Sequence, residues 1–169
     1  MELREYTFRL MGPDDEAQVQ ALFESDPDYF RLVHGAPAGP AEAKDLFNEL
    51  PEGKEYHDKF VYSVFDRGEA LAAVIDLVRG YPNDETWYLG LIFVAPASRN
   101  TGLGTRVLDA ICAHIKQQGG RAIRLGVVRG NVGARALYDR AGFHFIHERK
   151  RSHANGFIVT IDVLERALE

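Results

Sequence analysis

Stretches of strand-like and helix-like hydrophobic spacing alternate along the chain. Apolar residues at every second position over 6–10 predict a short first strand. Helical spacing over 17–23 predicts an amphipathic helix, for which Asp14 is the expected N-cap. Prolines and aromatic side chains over 25–39 indicate a mobile, partly helical segment, and helical spacing returns over 41–50. The chain therefore opens with one strand followed by helical segments.

The middle of the chain changes to strand-like spacing. Apolar runs over 60–65 and 71–78 flank the turn residues 66–69, which predicts a β-hairpin. The run 87–94 is almost entirely apolar, as expected of a strand buried on both faces. From Leu103 the apolar residues follow one helical stripe, which ends at a pair of glycines.

Four further elements close the chain: strand 122–128, helix 132–140, and a final pair of strands over 143–148 and 157–164. The complete order is β-α-α-β-β-β-α-β-α-β-β. This order predicts an α/β (α+β) fold, in which a mixed sheet carries helices on both faces. The whole chain, 1–169, is expected to form a single domain.

Composition and charge narrow the classes of function. A formal net charge of -5 argues against nucleic-acid binding and against docking on anionic membranes. No apolar run reaches the length of a membrane span, and the residues after Met1 do not form a signal peptide. The single cysteine, Cys112, has no partner for an intrachain disulfide and lies on an apolar helical stripe, so we expect an inert core residue. A cytoplasmic protein is the expectation.

One loop combines several features of a phosphate site. It lies between the apolar strand 87–94 and the following helix, and its residues Gly102 and Gly104 let the backbone approach a ligand closely. The first turn of the helix adds unpaired N–H donors and the positive end of the helix dipole. Arg99 adds a positive charge. Together these features would hold a pyrophosphate.

Two common phosphate-binding motifs do not fit this loop. A P-loop requires Gly-Lys-Ser/Thr, whereas Gly104 is followed by Thr105 and Arg106. The dinucleotide fingerprint requires a small residue three positions after the second glycine, and Val107 occupies that position. A plain strand-to-helix turn remains the alternative for the Gly-x-Gly pattern taken alone.

Two spaced motifs give a more specific signal. The first is Arg99-x-x-Gly102-x-Gly104, and the second is Asn131-x-x-Ala134-x-x-Leu137-Tyr138-x-x-x-Gly142-Phe143. In this order they resemble the two signatures of the GNAT superfamily of N-acetyltransferases, and the resemblance is strongest over 86–149. It implies a mostly antiparallel sheet of about seven strands, which splays apart at its two central parallel strands.

The resemblance also implies where acetyl-CoA, the co-substrate of this family, would bind. Pantetheine would lie between the parting strands and pair with their backbone, and the loop 99–105 would take the pyrophosphate. Asn131 would cap the next helix beside the cofactor, although it could be a cap alone. The implied cofactor-binding residues are Ile92, Phe93, Val94, Arg99, Asn100, Thr101, Gly102, Leu103, Gly104, Thr105, Asn131, Ala134 and Tyr138.

Acetyl transfer to an amine requires an acid and a base. The resemblance implies that Tyr138 protonates the departing CoA thiolate, although it could also be a half-buried aromatic that supports the cofactor sulfur. Many relatives carry a glutamate, the expected base, where this chain has Gly90. Asp76 and Glu85 are the remaining candidates, and a carboxylate inside an apolar strand favours Asp76. Either could instead be a solvated surface residue. A backbone N–H near Phe93 is expected to meet the oxyanion.

The acceptor pocket is expected beside the segment that follows the first helix. The candidate substrate-binding residues are Asp26, Tyr29, Phe30 and Tyr81, with Asp28, Arg31, Arg149 and His153 nearby. Acidic and aromatic side chains suit a cationic amine. The same side chains could simply pack this segment against the sheet.

The remaining expectations concern metals, partners and competing functions. His144 and His147 are three residues apart in a predicted strand and should point to opposite faces, so no metal site is predicted. A small-molecule amine is the first hypothesis for the acceptor. The alternatives are a protein N-terminus or lysine, and a non-catalytic CoA-binding module. The closing strands could also pair two subunits into a homodimer.

Overall fold

The computed structural model describes residues 5–169, in which seven strands form one sheet. The strands are β1 (Tyr6–Leu10), β2 (Lys59–Asp66), β3 (Leu71–Arg79), β4 (Thr86–Val94), β5 (Ala122–Val128), β6 (His144–Ser152) and β7 (Ile158–Ala167). They lie in the order β1-β2-β3-β4-β5-β7-β6. Only β4 and β5 are parallel neighbours, and every other pair is antiparallel.

Helices cover both faces of the sheet, as predicted. They are α1 (Glu16–Glu24), α2 (Pro27–His34), α3 (Glu42–Asn48), α4 (Leu103–Gln117) and α5 (Val132–Arg140). The apolar stripe of α4, together with α5, packs on one face against side chains such as Leu77 and Leu125. The opposite face carries α1, α2 and α3 around Phe93. Because strand side chains alternate, one sheet supplies both cores.

The segment between α1 and β2 is more regular than the sequence indicates. Asp26 caps α2 by accepting a hydrogen bond from the Tyr29 N–H at 3.1 Å, and Gly35 ends the helix in the left-handed conformation at φ 78°. A side chain at Gly35 would collide with the ring of Phe157, since an added Cβ would lie 2.4 Å from it. This close packing holds α2 on the turn between β6 and β7.

Two local predictions are wrong for identifiable reasons. Asp14 does not cap α1, because Pro13 starts a short 3-10 turn and the N-cap position falls on Asp15. In β6, His144 lies opposite Glu165 and His147 opposite Val163, with a bulge between them. The extra residue of the bulge brings both histidines to the same face of the sheet.

Candidate active site

The parallel pair at the centre of the sheet separates part-way along its length. Thr86–Leu89 of β4 pairs with Ala122–Leu125 of β5, and no pairing follows Leu89 and Leu125. From there β4 continues along β3, and β5 continues along β7. A wedge-shaped opening, the gap, therefore forms between the two strands. The sequence predicted that β4 is buried on both faces. This burial is interrupted at the exposed Gly90, where the gap begins.

Backbone groups of β4 line one edge of the gap. Ala95 donates its N–H to the Ala72 carbonyl at 2.8 Å, on the β3 side of the strand. Because alternate residues of a strand direct their backbone groups to opposite edges, Phe93 is also bonded toward β3. Ile92 and Val94 face the gap instead. An N–H donor for the predicted oxyanion is therefore available in this strand at the neighbours of Phe93 rather than at Phe93 itself.

Unpaired amides also stand at the start of α4. Gly102 occupies the N-cap position at φ 78° and provides no side-chain cap. The first helical amide to bond back is that of Arg106, which donates to the Gly102 carbonyl at 3.2 Å. The amides of Leu103, Gly104 and Thr105 precede it, at the positive end of a 15-residue helix. This arrangement can bind a phosphate group.

Arg99 does not extend toward these amides. Its Nε donates to the Val94 carbonyl at 3.1 Å, its guanidinium pairs with Asp26, and its Cζ lies 5.6 Å from the centre of the Phe93 ring. Two predicted site residues, Arg99 for phosphate and Asp26 for the acceptor, therefore bind each other. Their pairing fastens the loop before α4 to the start of α2. Asn100 and Thr101 complete this loop, with Asn100 at φ 60°.

The second motif shapes the start and the inner face of α5. Asn131 accepts a hydrogen bond from the Ala134 N–H at 3.2 Å and so caps the helix. Ala134 packs against the core on the α4 side. Tyr138 is buried there, with its ring edge-on to Phe143 at 5.4 Å between centroids. The structure thus shows the capping role of Asn131.

Two tyrosines approach the gap from opposite faces of the sheet. Tyr29 reaches it from α2 and packs edge-on against Phe93 at 5.2 Å, whereas Tyr138 comes from α5. Burial raises the pKa of Tyr29 to about 12, with further contributions from the carboxylates of Glu42 and Asp26. Burial also raises the pKa of Tyr138, and the nearby Tyr29 adds to this effect. Both phenols therefore remain protonated at neutral pH.

Asp76 lies where the gap begins. β4 has a bulge at this point: Asp76 pairs with Leu91, the next residue of β3 pairs with Leu89, and Gly90 has no partner. A Cβ added at Gly90 would lie 2.5 Å from Asp76 Oδ2. The carboxylate thus fills the position from which a side chain at Gly90 would project.

The Asp76 carboxylate forms a buried ion pair. Its Oδ1 lies 2.8 Å from Lys59 Nζ, and the two side chains are 13% and 4% exposed, respectively. Burial raises the pKa of Asp76, and Glu49 adds to this effect, while the Lys59 ammonium lowers the pKa. Sequence reasoning did not identify Lys59. The sequence shows only that Lys59 is a charged residue next to an apolar run. Its pairing with Asp76 becomes evident once the register of β2 and β3 is known.

Glu85 is not brought to this site. It precedes the first residue of β4, at the end of the strand where β4 and β5 are still paired. Its side chain is 66% exposed and lies 3.3 Å from the guanidinium of Arg121. At about 3.3 Å per residue, five residues of strand put it roughly 16 Å from Gly90. Its position matches that of a solvated turn residue.

A cavity of about 1040 Å³ opens on the face of the sheet that carries α2 and α3. Asp76 and Gly90 lie in its lining, together with three of the predicted acceptor residues: Tyr29, Phe30 and Tyr81. Asp28 forms a surface pair with Arg31 at 2.9 Å, away from the cavity. The acceptor prediction therefore divides into residues that line the cavity, which are the three aromatic residues with Arg149 and His153, and charged residues outside its lining, which are Asp26, Asp28 and Arg31.

The β6–β7 turn closes one side of this cavity against α2. Asn155 donates its side-chain N–H to the His34 carbonyl at 2.9 Å, and the rings of His34 and His153 lie 4.8 Å apart. His34 also lies 3.2 Å from a carboxylate oxygen of Glu42. Burial lowers the pKa of His153, with smaller contributions from the positive charges of His34 and Arg151. The predicted acceptor residue His153 is thus part of the cavity wall.

Residues 5–169 contain neither a metal-ligand cluster nor a helix suited to a membrane. No group of three or more His, Cys, Asp or Glu side chains in this range is arranged to hold a metal ion. No helix in the same range is long and apolar enough to cross a membrane.

Comparison with known proteins identifies the family. The sequence matches the acetyltransferase (GNAT) family over residues 19–143, and this match covers most of the chain. The chain belongs to the GNAT family. This GNAT protein is accordingly an acyltransferase.

Curated relatives support the same assignment. The GNAT protein is 25% identical over 143 residues to the uncharacterized N-acetyltransferase YobR of Bacillus subtilis, a match over 80% of this chain and 53% of the relative. The chain thus spans about half the length of that relative. It is also 25% identical to the uncharacterized N-acetyltransferase YhfO of the same organism, over 79% of this chain and 89% of the relative.

Solved structures establish the fold independently. Spermidine N-acetyltransferase from Vibrio cholerae, in complex with CoA and spermine, superposes with a TM-score of 0.76 at 16% identity, covering 98% of this chain and 97% of the other. The ribosomal-protein-S18-alanine N-acetyltransferase from Escherichia coli gives 0.72 at 17% identity, covering 97% and 94%. This GNAT protein therefore has the same fold as these enzymes.

Proposed function

We propose that this GNAT protein transfers an acetyl group from acetyl-CoA to the amine of a small molecule, by direct attack within a ternary complex. The gap is the observation that carries this proposal. It is lined by backbone groups of β4 that do not pair with β5, and it lies between the amides that begin α4 and the cavity on the opposite face. A cofactor and an acceptor can therefore meet at the gap from different sides.

Acetyl-CoA would span the α4 side of the gap. Its diphosphate binds the amides of Leu103, Gly104 and Thr105, and the pantetheine amides pair with the backbone groups of Ile92 and Val94. The spermidine N-acetyltransferase of the same fold is in complex with CoA, which supports CoA as a ligand of this fold. The thioester then lies near Gly90, where the Ile92 N–H is placed to donate to the developing oxyanion.

The acceptor amine must lose a proton. An alkylammonium with a pKa near ~10.4 costs roughly 4.6 kcal/mol to deprotonate at pH 7. Asp76 is the base in this proposal, because its carboxylate faces the cavity beside the start of the gap. Asp76 takes one proton from the ammonium, and the neutral nitrogen then attacks the thioester carbon. As the C–S bond breaks, the nitrogen releases its second proton, which replaces the proton that Tyr138 gives up. The departing thiolate takes the proton of the Tyr138 hydroxyl.

The walls of the cavity favour a small acceptor over a folded protein. α2 and α3 line one side of the cavity, and the contact between His34 and Asn155 closes another. A protein N-terminus or lysine would require an open groove at this position. Assembly as a homodimer and a cytoplasmic location stay predictions.

Thiol release from acetyl-CoA tests the proposed function. The purified protein is offered polyamines, aminoglycosides, amino acids and peptides, and free thiol is measured over time. Release stimulated by at least one small amine, with acetylated product confirmed by mass spectrometry, is the expected result. Stimulation by peptides alone would favour the alternative acceptor class, and no stimulation by any amine would contradict the proposal.

Replacing Lys59 with methionine should shift the pH dependence of the reaction. Lys59 lowers the pKa of Asp76, so its removal raises that pKa further above the ordinary carboxyl value. A base works in its deprotonated form, and the acidic limb of kcat/KM should therefore move to higher pH, with activity recovered on the alkaline plateau. The measurement is kcat/KM from about pH 5 to 9.

Lys54→Met is the matched control for this shift. Lys54 is also partly buried, but it pairs with Asp58 at 3.3 Å rather than with Asp76. The profile of this variant should keep the acidic limb of the wild type. A uniform loss of activity in Lys59→Met at every pH, with no movement of the limb, would indicate a purely structural role for Lys59.

A further inference from the structure

We infer that the acceptor is an amine that also carries a carboxylate, and that Arg149 recognises this carboxylate. The inference rests on the proposed function and names the acceptor class of the same site. It adds an anionic group to the cationic amine expected from the sequence, and assigns the recognition of that group to one of the residues expected near the acceptor.

The register of the closing strands directs Arg149 into the cavity. Arg149 lies opposite Ile161, while its neighbour Lys150 lies opposite Thr160 and faces the other way. Both Arg149 and Ile161 lie in the cavity lining. Arg149 thus reaches over β7 toward the strand next to the gap.

A glycine marks the position of the guanidinium head beside the gap. Gly126 of β5 directly follows the last residue paired with β4, so it lies where the gap opens. A Cβ added there would lie 3.9 Å from Arg149 Nη2 and 3.3 Å from the Tyr88 hydroxyl oxygen. A guanidinium and a phenol therefore border the same point, and both can donate hydrogen bonds to one anion.

Arg149 has no ion-pair partner within residues 5–169, unlike the other arginines of the cavity wall. Arg124 lies 2.6 Å from Glu165, and Arg151 lies 3.9 Å from Glu49. A guanidinium that faces a cavity without a protein carboxylate beside it is available to a ligand carboxylate, which it can bind through two parallel N–H donors.

An acceptor with a second ammonium group, such as a polyamine, would need an unpaired acidic side chain in the cavity. Asp76 pairs with Lys59, and Glu42 lies against His34. Asp45 is the acid of the lining without such a pair, and it is exposed on α3. The unpaired charge closest to the gap is therefore the positive charge of Arg149.

Geometry limits the distance between the two groups of the acceptor. Gly90 and Gly126 each follow the last paired residues of their strands, where neighbouring strands are about 5 Å apart. Asp76 borders the first glycine and Arg149 the second. An acceptor whose amine faces Asp76 and whose carboxylate faces Arg149 therefore has only a few bonds between them, as in an amino acid.

Matched acceptors test the inference. The twenty L-amino acids, their carboxamides, the corresponding decarboxylated amines and O-phosphoethanolamine are compared by thiol release, at equal concentrations of neutral amine. The wild type should favour the best carboxylate over its carboxamide by about 10-fold or more in kcat/KM. Equal rates for the two, or faster reaction of the decarboxylated or phosphorylated amine, would overturn the carboxylate assignment while leaving the proposed function intact.

Arg149→Gln should remove this preference. Its kcat/KM for the carboxylate should fall about 10- to 100-fold, mainly through KM, while the rate with the carboxamide stays unchanged. Arg149→Lys should lose less activity than Arg149→Gln. Lys150→Gln, on the opposite face of the same strand, should keep the wild-type values. An unchanged ratio in Arg149→Gln would overturn the role of Arg149. No thiol release with any amine would instead overturn the proposed function, and the inference with it.

Discussion

Replacing Asp76 with asparagine should lower kcat by about 10²- to 10⁴-fold, the usual contribution of a general base. The amide keeps the shape of the carboxylate but does not accept the proton of the amine. Steady-state thiol release at saturating acetyl-CoA gives kcat. The loss should become smaller as the pH rises toward the pKa of the acceptor, because more of the amine is then already neutral.

Loss of activity in this variant must be separated from loss of the fold. Asp76→Asn leaves the buried Lys59 ammonium without its partner, which can cost about 3–5 kcal/mol of stability. The double variant D76N/K59M removes both charges and should recover the thermal midpoint and the CoA affinity, but not kcat. Recovery of kcat in the double variant would show that Asp76 acts only through stability.

Tyr138→Phe should lower kcat by about 10²-fold and leave the affinity for acetyl-CoA unchanged. The variant keeps the ring that packs against Phe143 and removes only the hydroxyl group. Because burial raises the pKa of Tyr138, the phenol is protonated across the neutral range and can donate to the thiolate. The measurements are kcat by thiol release and cofactor affinity by calorimetry.

Tyr62→Phe provides the matched control. Tyr62 is half-buried, and burial raises its pKa as well, but it lies in β2 and stacks on Phe60. Its rate should equal that of the wild type. If Tyr138→Phe retains full kcat, the residue is a supporting aromatic and the acid must be sought elsewhere.

Elements with strong local signals could be predicted from the sequence alone. The bounds of β5, Ala122–Val128, and of α5, Val132–Arg140, agree with the prediction. Apolar alternation defines the strand, and Asn131 supplies the expected cap of the helix. The sheet with helices on both faces and the family followed from such local patterns.

Features that depend on distant contacts could not be predicted in this way. The helix α2 is held by the packing of Gly35 under Phe157, which is more than a hundred residues away in the sequence. Likewise, Arg99 pairs with Asp26, 73 residues earlier. No spacing in the sequence indicates such partners, because only the folded sheet brings them together.

The proposed base represents an intermediate case. The sequence drew attention to Asp76 as an acid within an apolar strand, and to Gly90 as a missing glutamate. The bulge in β4 supplies the connection, since it brings the Asp76 carboxylate to the place that a side chain at Gly90 would occupy. The hydrophobic pattern shows which side chains of a strand face the core, but not which residues pair across two strands. The position of a bulge depends on that pairing.

Calorimetric titration of CoA into the protein tests the central claim, that the first amides of α4 hold a diphosphate beside the gap. The informative pair of variants is Thr105→Glu and Thr105→Gln, at an exposed position in the first turn of α4. A glutamate there suits the helix but repels a phosphate group, whereas glutamine has the same shape without the charge. We predict one CoA bound per chain, an affinity at least about 10-fold weaker in Thr105→Glu, and little change in Thr105→Gln. No binding of CoA to the folded wild type, or equal affinity in both variants, would contradict the claim.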